Sequence, residues 1–170
     1  MTDGQGERHR GLVEGLIDGR EDWRNRIHAL MGAAADRGAR RLVMLDESFE
    51  DWPLGEPAFI DALSRWVASH RELVLLAADF GAILRRHPRW VTWRRTWGHT
   101  VRCLALHEDD RAEVPALFMA DGVGVLQMAD RRHWRGSLRS DPAAMAQAHE
   151  RLEHLVQRGS PDFPVSVLGL

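Results

Sequence analysis

The chain alternates between stretches in which apolar residues recur every three or four positions and short runs that are apolar throughout, and this alternation predicts its elements. Trp23, Ile27, Leu30, Met31 and Ala34 fall on one helical face and Gly38 follows as a stop, so residues 21–37 read as an amphipathic helix. Arg41 to Asp46 (RLVMLD) is short and continuously apolar, as in a strand buried on both faces. Pro57 suits the first turn of a second helix, where Phe59, Ile60, Leu63, Trp66 and Val67 form one face up to about Ser69. Leu73 to Ala78 (LVLLAA) repeats the buried-strand pattern. Strand, crossover helix and strand together predict a right-handed βαβ unit.

A helix from Pro88 to Trp97 and a strand from Val101 to Leu106 extend the series. Ala116 to Ala120 and Val123 to Met128 flank Asp121-Gly122, residues that tolerate the positive φ angles of a type I′ hairpin turn. Asp141 as N-cap and Pro142 behind it open a last helix, with Met145, Ala148, Leu152, Leu155 and Val156 facing inward and Gly159 at its end. The expectation is a single α/β domain over residues 12–170, after a mobile head at 1–11. It has a mixed, mainly parallel sheet, helices on both faces and a β-hairpin around Asp121-Gly122. The apolar tail, residues 160–170, is expected to dock on the domain or on a partner.

Composition narrows the chemistry. The 170 residues are 44% hydrophobic, enough for a core without staples. One cysteine, Cys103, cannot form an intramolecular disulfide, which suits a reducing compartment. The first ten residues are polar, and no run approaches the roughly 20 apolar residues of a membrane span, so a cytoplasmic protein is expected. Behind a net charge of −2 lie 25 acids and 23 basic residues, and all 23 are arginine. Without lysine there is no Schiff base and no phosphate-loop lysine; without tyrosine there is no catalytic phenol.

The element order resembles one half of the phospholipase D fold, whose mark is H-x-K-x4-D followed after six residues by G-S-x-N. Setting Asp121 on the motif's aspartate places Val114 at the histidine, Ala116 at the lysine, Met128 and Ala129 at the Gly-Ser pair and Arg131 at the asparagine. The segments Phe49 to Gly55, His87 to Arg95 and Phe163 to Leu170 also resemble a bacterial family of uncharacterised phospholipase D-like proteins. What the resemblance implies is a degenerate half-domain that has lost the imidazole nucleophile and the phosphate-holding lysine. Because two halves pack together in that superfamily, it also implies a homodimer.

From Phe80 to His107 the chain has no acid, where about four would be expected at its average frequency. That stretch carries Arg85, Arg86, Arg89, Arg94, Arg95 and Arg102 among Trp90, Trp93 and Trp97. At 100° per residue the three tryptophans fall within about 60°, a stripe suited to the core, with Arg89 and Arg94 on its flanks and their heads in water. A second cluster, Arg131, Arg132, His133 and Arg135, follows the hairpin. Guanidinium forks bind phosphate bidentately. Convergence of Arg131, Arg132 and Arg135 with Arg85, Arg86 or Arg89 at the carboxyl ends of the strands therefore predicts an anion pocket.

The leading expectation is a non-catalytic binding module for a phosphate-bearing ligand or an acidic protein, with no cofactor. Two alternatives stand beside it. Asp46 and Asp79 each end a strand and form the donor pair of a metal-dependent phosphoesterase, although acids at strand ends are commonly loop formers. Arginines and tryptophans together also suit sequence-tolerant nucleic-acid binding. None of the nine histidines forms a zinc motif; His87 and His99 are the first choices for a titrating group.

Overall fold

A computed structural model describes residues 12–68 and 70–163. In chain order the elements are β1 (Gly15–Asp18), α1 (Arg20–Arg37), β2 (Arg41–Asp46), α2 (Pro57–Trp66), β3 (Glu72–Ala77), α3 (Gly81–Arg86), α4 (Pro88–Thr96) and β4 (Val101–Ala105). After a 3₁₀ turn at Glu108–Asp110 come β5 (Ala116–Ala120), β6 (Gly124–Asp130), β7 (Arg135–Arg139), α5 (Pro142–Arg158) and β8 (Ser160–Pro161).

The strands form one mixed sheet of eight in the order β1-β7-β6-β5-β2-β3-β4-β8. The pairs β2–β3 and β3–β4 are parallel, as the two crossovers through α2 and α3–α4 require. The other five pairings are antiparallel, which corrects the expectation of a mainly parallel sheet. The cause is the run from β5 to β7, a meander joined by short turns, which can only pair antiparallel. Its last strand lies in the arginine-rich segment after the hairpin and has no apolar period to announce it. Nor does β1, of which Ile17 alone is buried.

Asp121-Gly122 does turn a hairpin, but by a different route. The loop spans Asp121 to Val123, the Val123 N–H donates to the Ala120 carbonyl at 3.0 Å, and within it Gly122 alone has positive φ, at 71°. A type I′ turn would need positive φ at both central residues.

Two cores flank the sheet. On one face α1, α2 and α4 bury Trp23, Trp52, Trp66 and Trp90 over β2, β3 and β5. On the other, α5 lays Ala148, Leu152 and Val156 on Val43, Leu45, Val74, Leu76, Leu117 and Met119. Helices therefore cover both faces. The α5 start is as the sequence requires, with the Asp141 carboxylate accepting the Ala144 N–H at 3.1 Å.

Trp90 and Trp93 are buried as the helical stripe predicts, but Arg94 is not wet: it is 4% exposed. Its guanidinium lies 4.8 Å from the centroid of the Phe163 ring, which also packs on Phe80 and Trp90. Phe163 thus returns over α4 and closes what would have been the helix's open flank. Residues 1–11 and 164–170, the expected head and most of the expected tail, lie outside the described residues.

Candidate functional site

Strand register brings the two arginine clusters to one edge of the sheet. Asp46 ends β2 opposite Ala77 of β3, Ala77 pairs with Ala105 of β4, and Leu45 faces Leu117 near the start of β5. Ala116 pairs with Met128 near the end of β6, and Asp130 with Arg135 at the start of β7. The loop after β2, the lead into α3 and the β6–β7 turn therefore all emerge on the same side.

Asp46 organises this edge. Its carboxylate is buried, and its Oδ2 accepts the N–H groups of Ser48 at 3.1 Å and Phe49 at 2.7 Å. Its Oδ1 accepts Arg131 Nη2 at 2.7 Å. Arg131 is fixed further by the Val114 carbonyl, 3.2 Å from Nε and 3.0 Å from Nη2. One side of the guanidinium is thus pinned, while the side chain remains 40% exposed. Val114 and Arg131, the positions that align with the motif's histidine and asparagine, are in direct contact.

Phe49 carries backbone strain at the same place. Its φ is 60°, unfavourable for a bulky side chain by about 1–3 kcal/mol. The peptide is clamped from both sides, by Asp46 on its N–H and by His87 Nε2, 2.8 Å from its carbonyl. Burial holds His87 below its ordinary pKa despite that hydrogen bond, so the ring is neutral near pH 7 and Nε2–H is the donor.

The rest of the loop is strapped to its neighbours. Glu50 pairs with Arg86 at 2.7 Å, and Arg24 holds the Asp51 carbonyl at 3.0 Å. Glu56 pairs with Arg24 and with His28 Nε2, the latter at 2.7 Å. Burial pushes the Glu56 carboxyl up, but these hydrogen bonds outweigh it and hold the group below its usual range.

The seven arginine and histidine candidates are therefore unequal. Arg131 and Arg86 are engaged with Asp46 and Glu50. Arg85 is exposed and its Nη1 lies beside Gly81, while Arg89 reaches the Gly55 carbonyl at a long 3.4 Å. Arg132 is exposed without an acceptor among the described residues, and Arg135 stands 3.9 Å from Asp18. His133 turns away to Asp130, its Nδ1 at 2.8 Å from Oδ2, and that bond lowers the Asp130 pKa.

None of the seven lines the groove along α5, the hollow beside α1 or the one between β1 and β7. Asp46 is saturated by two N–H groups and an arginine, and Asp79 Oδ1 accepts the Gly81 N–H at 2.8 Å as a loop former. Among the described residues no group of three or more metal-ligating side chains stands together. His99, the other candidate titrating group, is exposed beside Trp97.

What residue patterns could not reveal is the pairing of Asp46 with a side chain 85 positions away, or the clamp on Phe49. The one hint was the position of Asp46 at a strand end.

The overall fold is similar to that of three solved structures. TrmBL2, an archaeal chromatin protein that binds DNA, superposes with a TM-score of 0.64 at 12% identity, over 92% of this chain and 56% of TrmBL2. NucT from Helicobacter pylori gives 0.55 at 11%, covering 88% of this chain and 99% of NucT. Phosphatidylserine synthase from Haemophilus influenzae gives 0.54 at 12%, covering 93% of this chain and 42% of the synthase. This chain therefore spans about half the length of the first and less than half of the third, and the likeness is one of fold. The chain belongs to the family described as Domain of unknown function (DUF7931), whose model matches residues 21–166. No curated protein sequence matches it. Among the described residues no helix is long and apolar enough to cross a membrane.

Proposed function

We propose that this chain is a non-catalytic, phospholipase D-like binding module whose arginine-bearing sheet edge takes a phosphate-bearing ligand. The observation that carries the reading is the fixing of Arg131 by Asp46 and Val114 with one side of its guanidinium left to solvent. A pre-positioned fork loses little side-chain entropy when it binds an oxyanion. Arg132 lies in the same turn and Arg135 opens β7 behind it, while Arg85 and Arg86 end α3, where Arg86 pairs with Glu50 of the loop after β2.

The motif positions support the non-catalytic part. Val114 stands for the nucleophile, and the lysine position is Ala116, which is buried in the sheet. A phosphoesterase built on Asp46 and Asp79 is disfavoured because the Asp46 carboxylate already accepts two loop N–H groups and Arg131.

Titration with inorganic phosphate or sulfate tests the proposal, with sodium chloride at matched ionic strength as the control. The melting temperature is expected to rise with the oxyanion, and the rise is expected to vanish in Arg131→Met. An equal response to chloride would overturn the reading.

Nucleic acid is the second reading, favoured by the DNA-binding neighbour TrmBL2. It predicts fluorescence-anisotropy binding of single-stranded DNA that weakens steeply with salt. The assignment of residues 12–170 to one domain, a cytoplasmic location and a homodimer belong to the same proposal. Light scattering that returned a monomer near 19 kDa would reject the dimer.

A further inference from the structure

A large cavity lies beside the arginine-bearing edge and is lined by five acids. It is a groove of about 1140 Å³ between the segment after β4 and helix α5. Leu45, Leu106, Val114 and Leu155 give it an apolar floor. One wall presents Asp109, Asp110 and Glu113, and the α5 wall presents Glu150 and Glu153.

Counting ion pairs shows which of these charges remain unanswered. Arg158 answers Asp109 and Asp110, and Arg41 answers Glu153. Glu113 and Glu150 are exposed and have no basic partner within 4.0 Å among the described residues, and they stand on opposite walls. Arg151 is the one arginine in the lining.

Size selects among occupants. Small-molecule pockets run to about 300–1,000 Å³ and are usually closed around a few convergent polar groups. This groove is larger and runs along α5 from Gln147 to Gln157, roughly 15 Å of helix. An amphipathic segment of two to three turns matches that length, and an acidic rim over an apolar floor is complementary to a basic helix with an apolar stripe.

We infer that the groove between the segment after β4 and α5 docks a basic amphipathic helix of a partner protein. The apolar stripe of that helix packs on the partly exposed Val114 and Leu155, above the buried Leu106. Its lysine or arginine side chains pair with Glu113 and Glu150. The site is separate from the proposed oxyanion edge, and cation recognition here does not depend on anion recognition there.

The test uses the whole chain and two fluorescein-labelled 14-residue helical peptides with the same leucine stripe, one with lysines on its polar face and one with glutamates. Anisotropy is expected to show binding of the lysine peptide at least ten-fold tighter than the glutamate peptide at 50 mM salt. Glu113→Gln with Glu150→Gln is expected to weaken the lysine peptide at least five-fold, and Leu155→Asp at least ten-fold. Glu21→Gln with Asp61→Gln, acids on α1 and α2, is expected to leave it unchanged.

Because Glu113 and Glu150 are exposed, their neutralisation leaves the fold intact, and the melting temperature checks this. Equal affinity for the two peptides, or equal loss in the groove and the control variants, overturns the inference. Arg131→Met removes the oxyanion response and leaves peptide binding in place, so the two proposals fail separately.

Discussion

Arg131 reaches from the β6–β7 turn to the buried carboxylate of Asp46, and the 2.7 Å contact ties the meander half of the sheet to the loop that follows β2. Asp46→Ala removes the anion, leaves two loop N–H groups without their acceptor and strands the arginine. The expected loss is about 2–3 kcal/mol, discounted because Arg131 is partly in water. Asp46→Asn keeps an acceptor for the loop and is expected to lose about 1 kcal/mol. Urea unfolding of both variants checks the order; equal losses would mean that the loop N–H groups contribute nothing.

The Phe49 clamp gives stability a pH dependence. His87 has its pKa lowered in the folded state, so the unfolded chain binds the extra proton first as pH falls. Its contribution is complete above the ordinary value of 6.5 and is lost progressively as pH falls through the lowered folded value. The melting temperature is expected to drop between pH 7 and 5, and His87→Gln to flatten that slope. An unchanged slope in the variant would assign the acid sensitivity to other groups.

Two glycines should respond oppositely to a methyl group. β7 passes so close to β6 that a Cβ at Gly136 would press into the Gln127 carbonyl and stand 3.0 Å from Met128 Cα. Gly136→Ala is expected to destabilise by about 1–3 kcal/mol. Gly32, inside α1, has nothing within 4 Å of a built Cβ. Gly32→Ala is expected to stabilise by about 0.5–1 kcal/mol, through helix propensity. Thermal unfolding of the pair measures both signs.

Arg94 is a buried cation resting on an aromatic ring, with its Nε lacking an acceptor. A methionine fills similar volume without desolvating a charge. Arg94→Met is therefore expected to be neutral or stabilising, whereas Arg94→Ala, which opens a gap under Phe163, is expected to cost about 2–4 kcal/mol. Chemical denaturation distinguishes the two, and comparable losses would show that the charge itself holds Phe163.

Elements whose apolar residues obey one period were legible in the sequence: α1, β2, β3, β4, β5 and α5 lie within a residue or two of their expected limits. Strand β7 was not, because Arg135, Gly136 and Ser137 carry no apolar signal and the strand is held by main-chain pairing to β6 and β1. The same blindness misjudged sheet polarity. Helix α3 had no counterpart among the expected elements, which open a helix only at Pro88, because six residues ending in two arginines are too short to show an apolar period. For the candidate site, both arginine clusters and Asp46 were visible as residue types. Their engagement was not, since a local pattern cannot say that Asp46 meets Arg131 or that Glu50 meets Arg86.

Strand β1 pairs with β7, Gly15 facing Leu138, and α1 follows it directly. The main-chain groups of β1 thus go unpaired until β7, far along the chain, is in place. Loop closure over such a separation is slow compared with the local β2–α2–β3 crossover. Strand β1 therefore joins the sheet late, and until β7 is in place its one inward side chain, Ile17, stays open to chaperones.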